Sequence, residues 1–171
     1  MKDLLDRTRR AQHWLAAAFS VWLIATSPWI SMRRIVPKSP TFWDYAHIGL
    51  GIALAAIAIA YTITTLVDGG WRRHFPWAAG NLSEVKSDLN AIAKLKIPSA
   101  GGAGLFSLIQ GVLLVMLLAT ALTGIGWLLA DGSRTALAWR EWHMLAANAF
   151  AWLLALHLIA SALHLVDLLR D

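Results

Sequence analysis

His143 and His157 stand 14 residues apart inside a stretch, residues 142–166, that holds no Asp, Glu, Lys or Arg. On an α-helix, 14 residues turn through about four full circles, so both imidazoles share one face and lie roughly 21 Å apart along the axis. A neutral imidazole can ligate a metal through one ring nitrogen or pass a proton near neutrality. Two imidazoles so far apart serve two separate centres rather than one. His13, His47 and His164 also lie in stretches free of charged residues, whereas His74 sits in a polar loop. With no cysteine in the chain, thiolate zinc sites, iron–sulfur clusters and covalently attached haem are excluded.

These histidines are held by strongly apolar elements. Of 171 residues, 58% are hydrophobic, above the 45–50% or so usual for a soluble domain. Four windows, 11–32, 45–67, 97–130 and 142–166, contain no charged side chain. Each is longer than the roughly 18 apolar residues that mark a membrane-spanning helix. This excludes a soluble enzyme and a disordered chain. Backbone in hydrocarbon must satisfy its own hydrogen bonds, so the expected form is helical. The sequence predicts an all-α, integral membrane four-helix bundle, one domain over residues 1–171. Its spans are placed at about 11–32, 43–67, 102–130 and 141–169. Leu82, Val85, Leu89 and Ile92 recur at helical spacing, which predicts an amphipathic surface helix over about 82–96. Eight of the ten tryptophans fall at or near the expected span ends, Trp127 among them, where indole prefers the headgroup level.

Orientation follows from the basic residues. Ten Lys and Arg fall on the side of the N-terminus and five, Arg33, Arg34, Lys38, Arg134 and Arg140, on the other. Both termini are therefore expected in the cytoplasm, in a bacterial inner membrane. The formal charge of +5 belongs to the lipid surface, and no nucleic-acid partner is expected.

Depth now pairs the histidines. His143 opens the fourth span at the outer face and His157 lies near the inner one. His47 opens the second span on the outer side, and His13 opens the first on the inner side. The outer level then holds His47 and His143, the inner level His13 and His157. Two pairs at two depths are what two bis-histidine haem b groups between the helices require, with each neutral imidazole giving one axial nitrogen to iron. Gly49 and Gly51 thin the second span beside His47. His164 lies about 10 Å beyond His157 and is left as an interfacial residue. A lone intramembrane histidine is often only a polar group bonded to a neighbouring carbonyl, but five such positions in this order make that reading the weaker one. A haem-free metal or proton transporter is the other rival; it would pair histidine with intramembrane Asp or Glu, of which the windows have none.

Gln12-His13-Trp14-Leu15, His47 with Gly51, Thr123-Gly124 before Trp127, and His143 to His157 followed by His164 together resemble the prokaryotic diheme cytochrome b family. That family includes cytochrome b561 and the cytochrome b subunits of nickel–iron hydrogenases and formate dehydrogenases. The resemblance covers essentially the whole chain. It implies electron transfer across the membrane between a redox partner and quinone, as the membrane subunit of a respiratory oxidoreductase. His13 and His157 would hold one haem and His47 and His143 the other. Arg9, Arg10, Arg72 and Arg73 lie where haem propionates find cations. The alternative within the same resemblance is a free-standing superoxide:quinone oxidoreductase.

Overall fold

The computed structural model describes residues 2–94, 96 and 103–168, with side chains described over 3–94, 96 and 103–162. Six α-helices, with one short 3-10 turn, account for the regular structure, and no strand occurs among the described residues. The helices are α1 (Lys2–Thr26), α2 (Phe42–Val67), α3 (Trp71–His74), α4 (Ser83–Ala93), α5 (Leu105–Leu129) and α6 (Ala136–Leu168).

Three of these, α2, α5 and α6, are long and apolar enough to cross a membrane. The first expected span differs. α1 begins nine residues before residue 11 and stops at Thr26 rather than near 32, where Pro28 enters the 3-10 turn Ser27–Trp29. Its first ten residues carry Lys2, Asp3, Asp6, Arg7, Arg9 and Arg10, and it is not among the helices long and apolar enough to cross by length and composition. The fourth long helix starts at Ala136, five residues earlier than expected. The loop helix is Ser83–Ala93, shorter than 82–96 at both ends.

Chain punctuation explains the boundaries. Thr41 and Asp44 form a capping box at the start of α2, satisfying backbone N–H groups that a helix leaves open. Asp68 accepts from the Gly70 backbone N–H, and Gly69 takes a positive φ of 74°, turning the chain after α2. Before α5, Asp88 of α4 accepts the Leu105 N–H at 2.7 Å and Glu84 accepts the Ala103 N–H at 2.6 Å. Two carboxylates from a neighbouring helix therefore meet the positive end of the α5 dipole. Gly104 makes this approach possible, because a Cβ there would stand 2.1 Å from Asp88 Oδ2.

α1 packs on α2, α2 on α5 and α5 on α6, while the short α3 and α4 lie against α5. One core cluster joins the four long helices through Leu23, Leu54, Ala58, Ile109, Leu113, Leu117 and Phe150. A second gathers Met32, Trp127 and Ala136 beneath the loops at the α2 start and the α5–α6 turn. Trp127 is not an interfacial anchor. It is buried, and its indole N–H donates to the Arg33 carbonyl at 2.9 Å. Trp14, Trp29, Trp142 and Trp152 instead stand exposed.

Candidate functional site

The fold brings the predicted histidines together in the predicted pairs. The rings of His47 on α2 and His143 on α6 lie 6.2 Å apart, centre to centre, with planes at 88°. Those of His13 on α1 and His157 on α6 lie 6.4 Å apart at 72°. An imidazole nitrogen sits about 2 Å from a bound metal and roughly 1.1 Å from its own ring centre, so one ion held linearly between two histidines sets the ring centres about 6.2 Å apart. Both pairs have that spacing. The pairs stand about 21 Å apart along α6, the rise of 14 helical residues. The side chain of His164 lies outside the described residues.

Around the outer pair, His143 Nδ1 lies 2.9 Å from the Thr120 carbonyl. A carbonyl only accepts, so Nδ1 carries the proton and Nε2 keeps a free lone pair. His47 Nδ1 is buried with no hydrogen-bond partner. Both imidazoles line a cavity of about 350 Å³ walled chiefly by apolar side chains of all four long helices. Gly51 and Gly124 lie on its wall. A Cβ at Gly51 would meet nothing within 4 Å, and one at Gly124 would press within 3.1 Å of the His143 ring. Glycine at these two places keeps space open beside the imidazoles. Arg140 also lines the cavity, within electrostatic reach of His143.

The inner pair is framed by aromatic rings. Phe106 stacks on His157 with ring centres 5.0 Å apart, while Trp14 and Tyr61 flank His13 at 6.0 and 6.3 Å. His157 is buried, and its Nδ1 has no hydrogen-bond partner. Arg9 ties this end of α1 to the end of α2 through Asp68 at 2.6 Å. Arg10, Arg72 and Arg73 are exposed. Close by, on α3 and outside the spans, His74 is buried against α5, where a Cβ on Gly111 would stand 1.9 Å from the His74 carbonyl oxygen. Burial, with the Arg73 charge behind it, holds His74 below its usual titration range, against a hydrogen bond to the Ser107 backbone that raises it.

Each pair could supply two ligands. No group of three or more His, Cys, Asp or Glu gathers among the described residues as a bare ion would need. Two imidazoles set 6.2 or 6.4 Å apart, centre to centre, with an apolar cavity lined by Gly51 and Gly124 beside the His47–His143 pair, suit an iron whose other four ligands come from a macrocycle.

A family model described as prokaryotic cytochrome b561 matches residues 5–170. The chain belongs to the prokaryotic cytochrome b561 family. Searches among curated proteins and among solved structures returned no match. Members of the cytochrome b561 family are membrane b-type cytochromes that bind haem b and transfer electrons, which accounts for the apolar helices and places this chain in a lipid bilayer.

Two features of the site escaped the sequence reading. Asp44, at the very start of α2, is fully buried beside the outer pair, and Arg140 reaches the cavity from one turn before His143. The Thr41-x-x-Asp44 spacing ahead of an apolar run was the signal for the first. For Arg140 the signal was its place three residues before a candidate ligand, on the same helix face.

Proposed function

We propose that this chain is a diheme b-type cytochrome that carries electrons across the bacterial inner membrane between a redox partner and quinone. In this reading α1 joins α2, α5 and α6 as a fourth span of a four-helix bundle, with its charged first turns in the headgroups and both termini cytoplasmic. The observation that carries it is the pair of histidine couples, 6.2 and 6.4 Å between ring centres, at opposite ends of α6.

His47 and His143 would hold the outer haem, and His13 and His157 the inner one. A bound haem supplies a one-electron iron couple. The chain's own residues do the rest. Thr120 fixes the His143 tautomer and ring orientation, as partners of metal-bound histidines generally do. Gly51 and Gly124 leave room for a flat ring, and the leucine, isoleucine and phenylalanine walls exclude water. Arg140 at the outer cavity, and Arg9 with Arg73 at the inner end, offer cations to propionates. Bis-histidine ligation leaves no open iron position, which favours electron passage over oxygen chemistry. Quinone and the soluble or subunit partner rest on the family resemblance. α4 and the Leu82 that precedes it leave Leu82, Leu89 and Ile92 exposed, which suits a helix lying on the inner membrane surface.

The test is a reduced-minus-oxidised absorption spectrum of the purified chain with haem counted per polypeptide. Two haems b are expected, falling to one in His47→Ala and to one in His13→Ala. A colourless preparation from haem-replete cells overturns the assignment, as does retention of both haems in either variant.

A further inference from the structure

Among the described residues, Asp44 is the one charged residue set wholly out of solvent next to the histidine pairs, and electron passage does not by itself call for it. Its Oδ1 accepts the Ser31 backbone N–H at 2.8 Å. Its Oδ2 accepts the Ser31 hydroxyl at 2.7 Å, the Thr41 backbone N–H at 2.9 Å and the Thr41 hydroxyl at 2.9 Å. Four donors converge on the two oxygens, an arrangement that stabilises a carboxylate rather than a carboxylic acid. The charge stands three residues before His47 on the same helix, where side chains are neighbours. His47 feels it: Asp44 and His143 are its two electrostatic partners.

Resting on the diheme reading, we propose that the buried charge of Asp44 holds down the reduction potential of the haem held by His47 and His143, making Asp44 a positioning and tuning residue for that site. Oxidised haem carries one positive charge more than reduced haem, so a nearby anion favours the oxidised form and lowers the potential. Arg140, beside His143, acts in the opposite sense, but it is partly exposed, so solvent and salt screen it as they do not screen Asp44. The same carboxylate anchors the α1–α2 loop to the first turn of α2, so it fixes the position of His47 as well as its field.

Redox titration of the purified chain followed in the haem absorption bands tests this, with the outer component identified as the one missing in His143→Ala. Asp44→Asn is expected to raise the potential of the outer haem and leave that of the inner haem where it was. An unchanged outer potential, or an equal shift of both, overturns the proposal while the haem count leaves the diheme reading standing. In either orientation the amide turns its NH2 toward a backbone N–H, that of Ser31 or that of Thr41, so this variant can lose the outer haem. Ser31→Ala then decides, because it keeps the charge and removes one donor that disperses it. A lowered outer potential in Ser31→Ala supports the proposal, and an unchanged or raised one overturns it. A chain that binds no haem fails the diheme reading itself, which separates the two.

Discussion

His74 shows what a single buried side chain does to the chain's response to pH. Its folded state disfavours the charged form, so between its lowered titration point and the ordinary value of 6.5 the unfolded chain binds more protons than the folded one. Stability from this group is therefore complete above pH 6.5 and is lost as pH falls below it. Thermal unfolding in detergent from pH 7.5 down to 5 is expected to show a falling midpoint, with a shallower fall in His74→Gln; equal slopes would remove His74 as the cause. The pairing of His47 with His143 and of His13 with His157 in space was legible from sequence because helical arithmetic fixes both face and depth, and those are the coordinates that pairing needs. Asp44 was not. It sits one residue outside a charge-free window, where a charge reads as loop solvation, and only the fold shows Ser31 returning 13 residues upstream to bury it.

The elements were legible in proportion to their apolar length. α2 and α5 fall within a few residues of their expected bounds because each is a long hydrophobic run closed at its C-terminal end by an Asp-Gly turn. α1 begins nine residues ahead of the expected span, since a charged segment can continue a helix with i,i+3 and i,i+4 pairs such as Arg9–Asp6 and Arg7–Asp3, which a charge-free window cannot see, and it stops at Thr26 before Pro28. α3 has four residues, too few for any periodicity, and is held by its close fit to Gly111. That fit carries a prediction: in Gly111→Ala the new methyl meets backbone rather than a movable side chain. Overpacking of this kind costs about 1–3 kcal/mol, read as a lowered unfolding midpoint and faster proteolysis in the 71–82 segment. At the other end of the same stretch, Asp88→Ala removes the acceptor for the Leu105 N–H and is expected to cost about 1 kcal/mol, as lost helix caps do. The amphipathic pattern of α4 pointed to a membrane surface, but it gave no hint that two of its polar residues, Glu84 and Asp88, close the N-terminal end of α5.

At the scale of the whole molecule the outer loops form one structure. Asp131 accepts the Val36 N–H at 3.0 Å and the Ser133 carbonyl accepts from Arg34, while Trp127 reaches Arg33, so the turn between α5 and α6 is clasped to the segment before α2. The clasp sits at the end of the helices that carries His47 and His143, and opposite α3 and α4. The orientation proposed above rests on charge alone: five basic residues on the clasped side against ten on the other, the richer side being the one expected inside. The absence of cysteine makes this directly measurable, because any introduced thiol is unique. Arg134 and Ser87 are both exposed, the first on the clasp and the second on α4. In intact cells a membrane-impermeant maleimide is expected to label Arg134→Cys at once and Ser87→Cys only after the inner membrane is permeabilised. The reverse pattern would turn the molecule over, placing the His13–His157 site on the periplasmic side and Asp44 with the His47–His143 site on the cytoplasmic side. The proposed haem pairing would survive that inversion, because it depends on depth along α6 and not on which face is called outer.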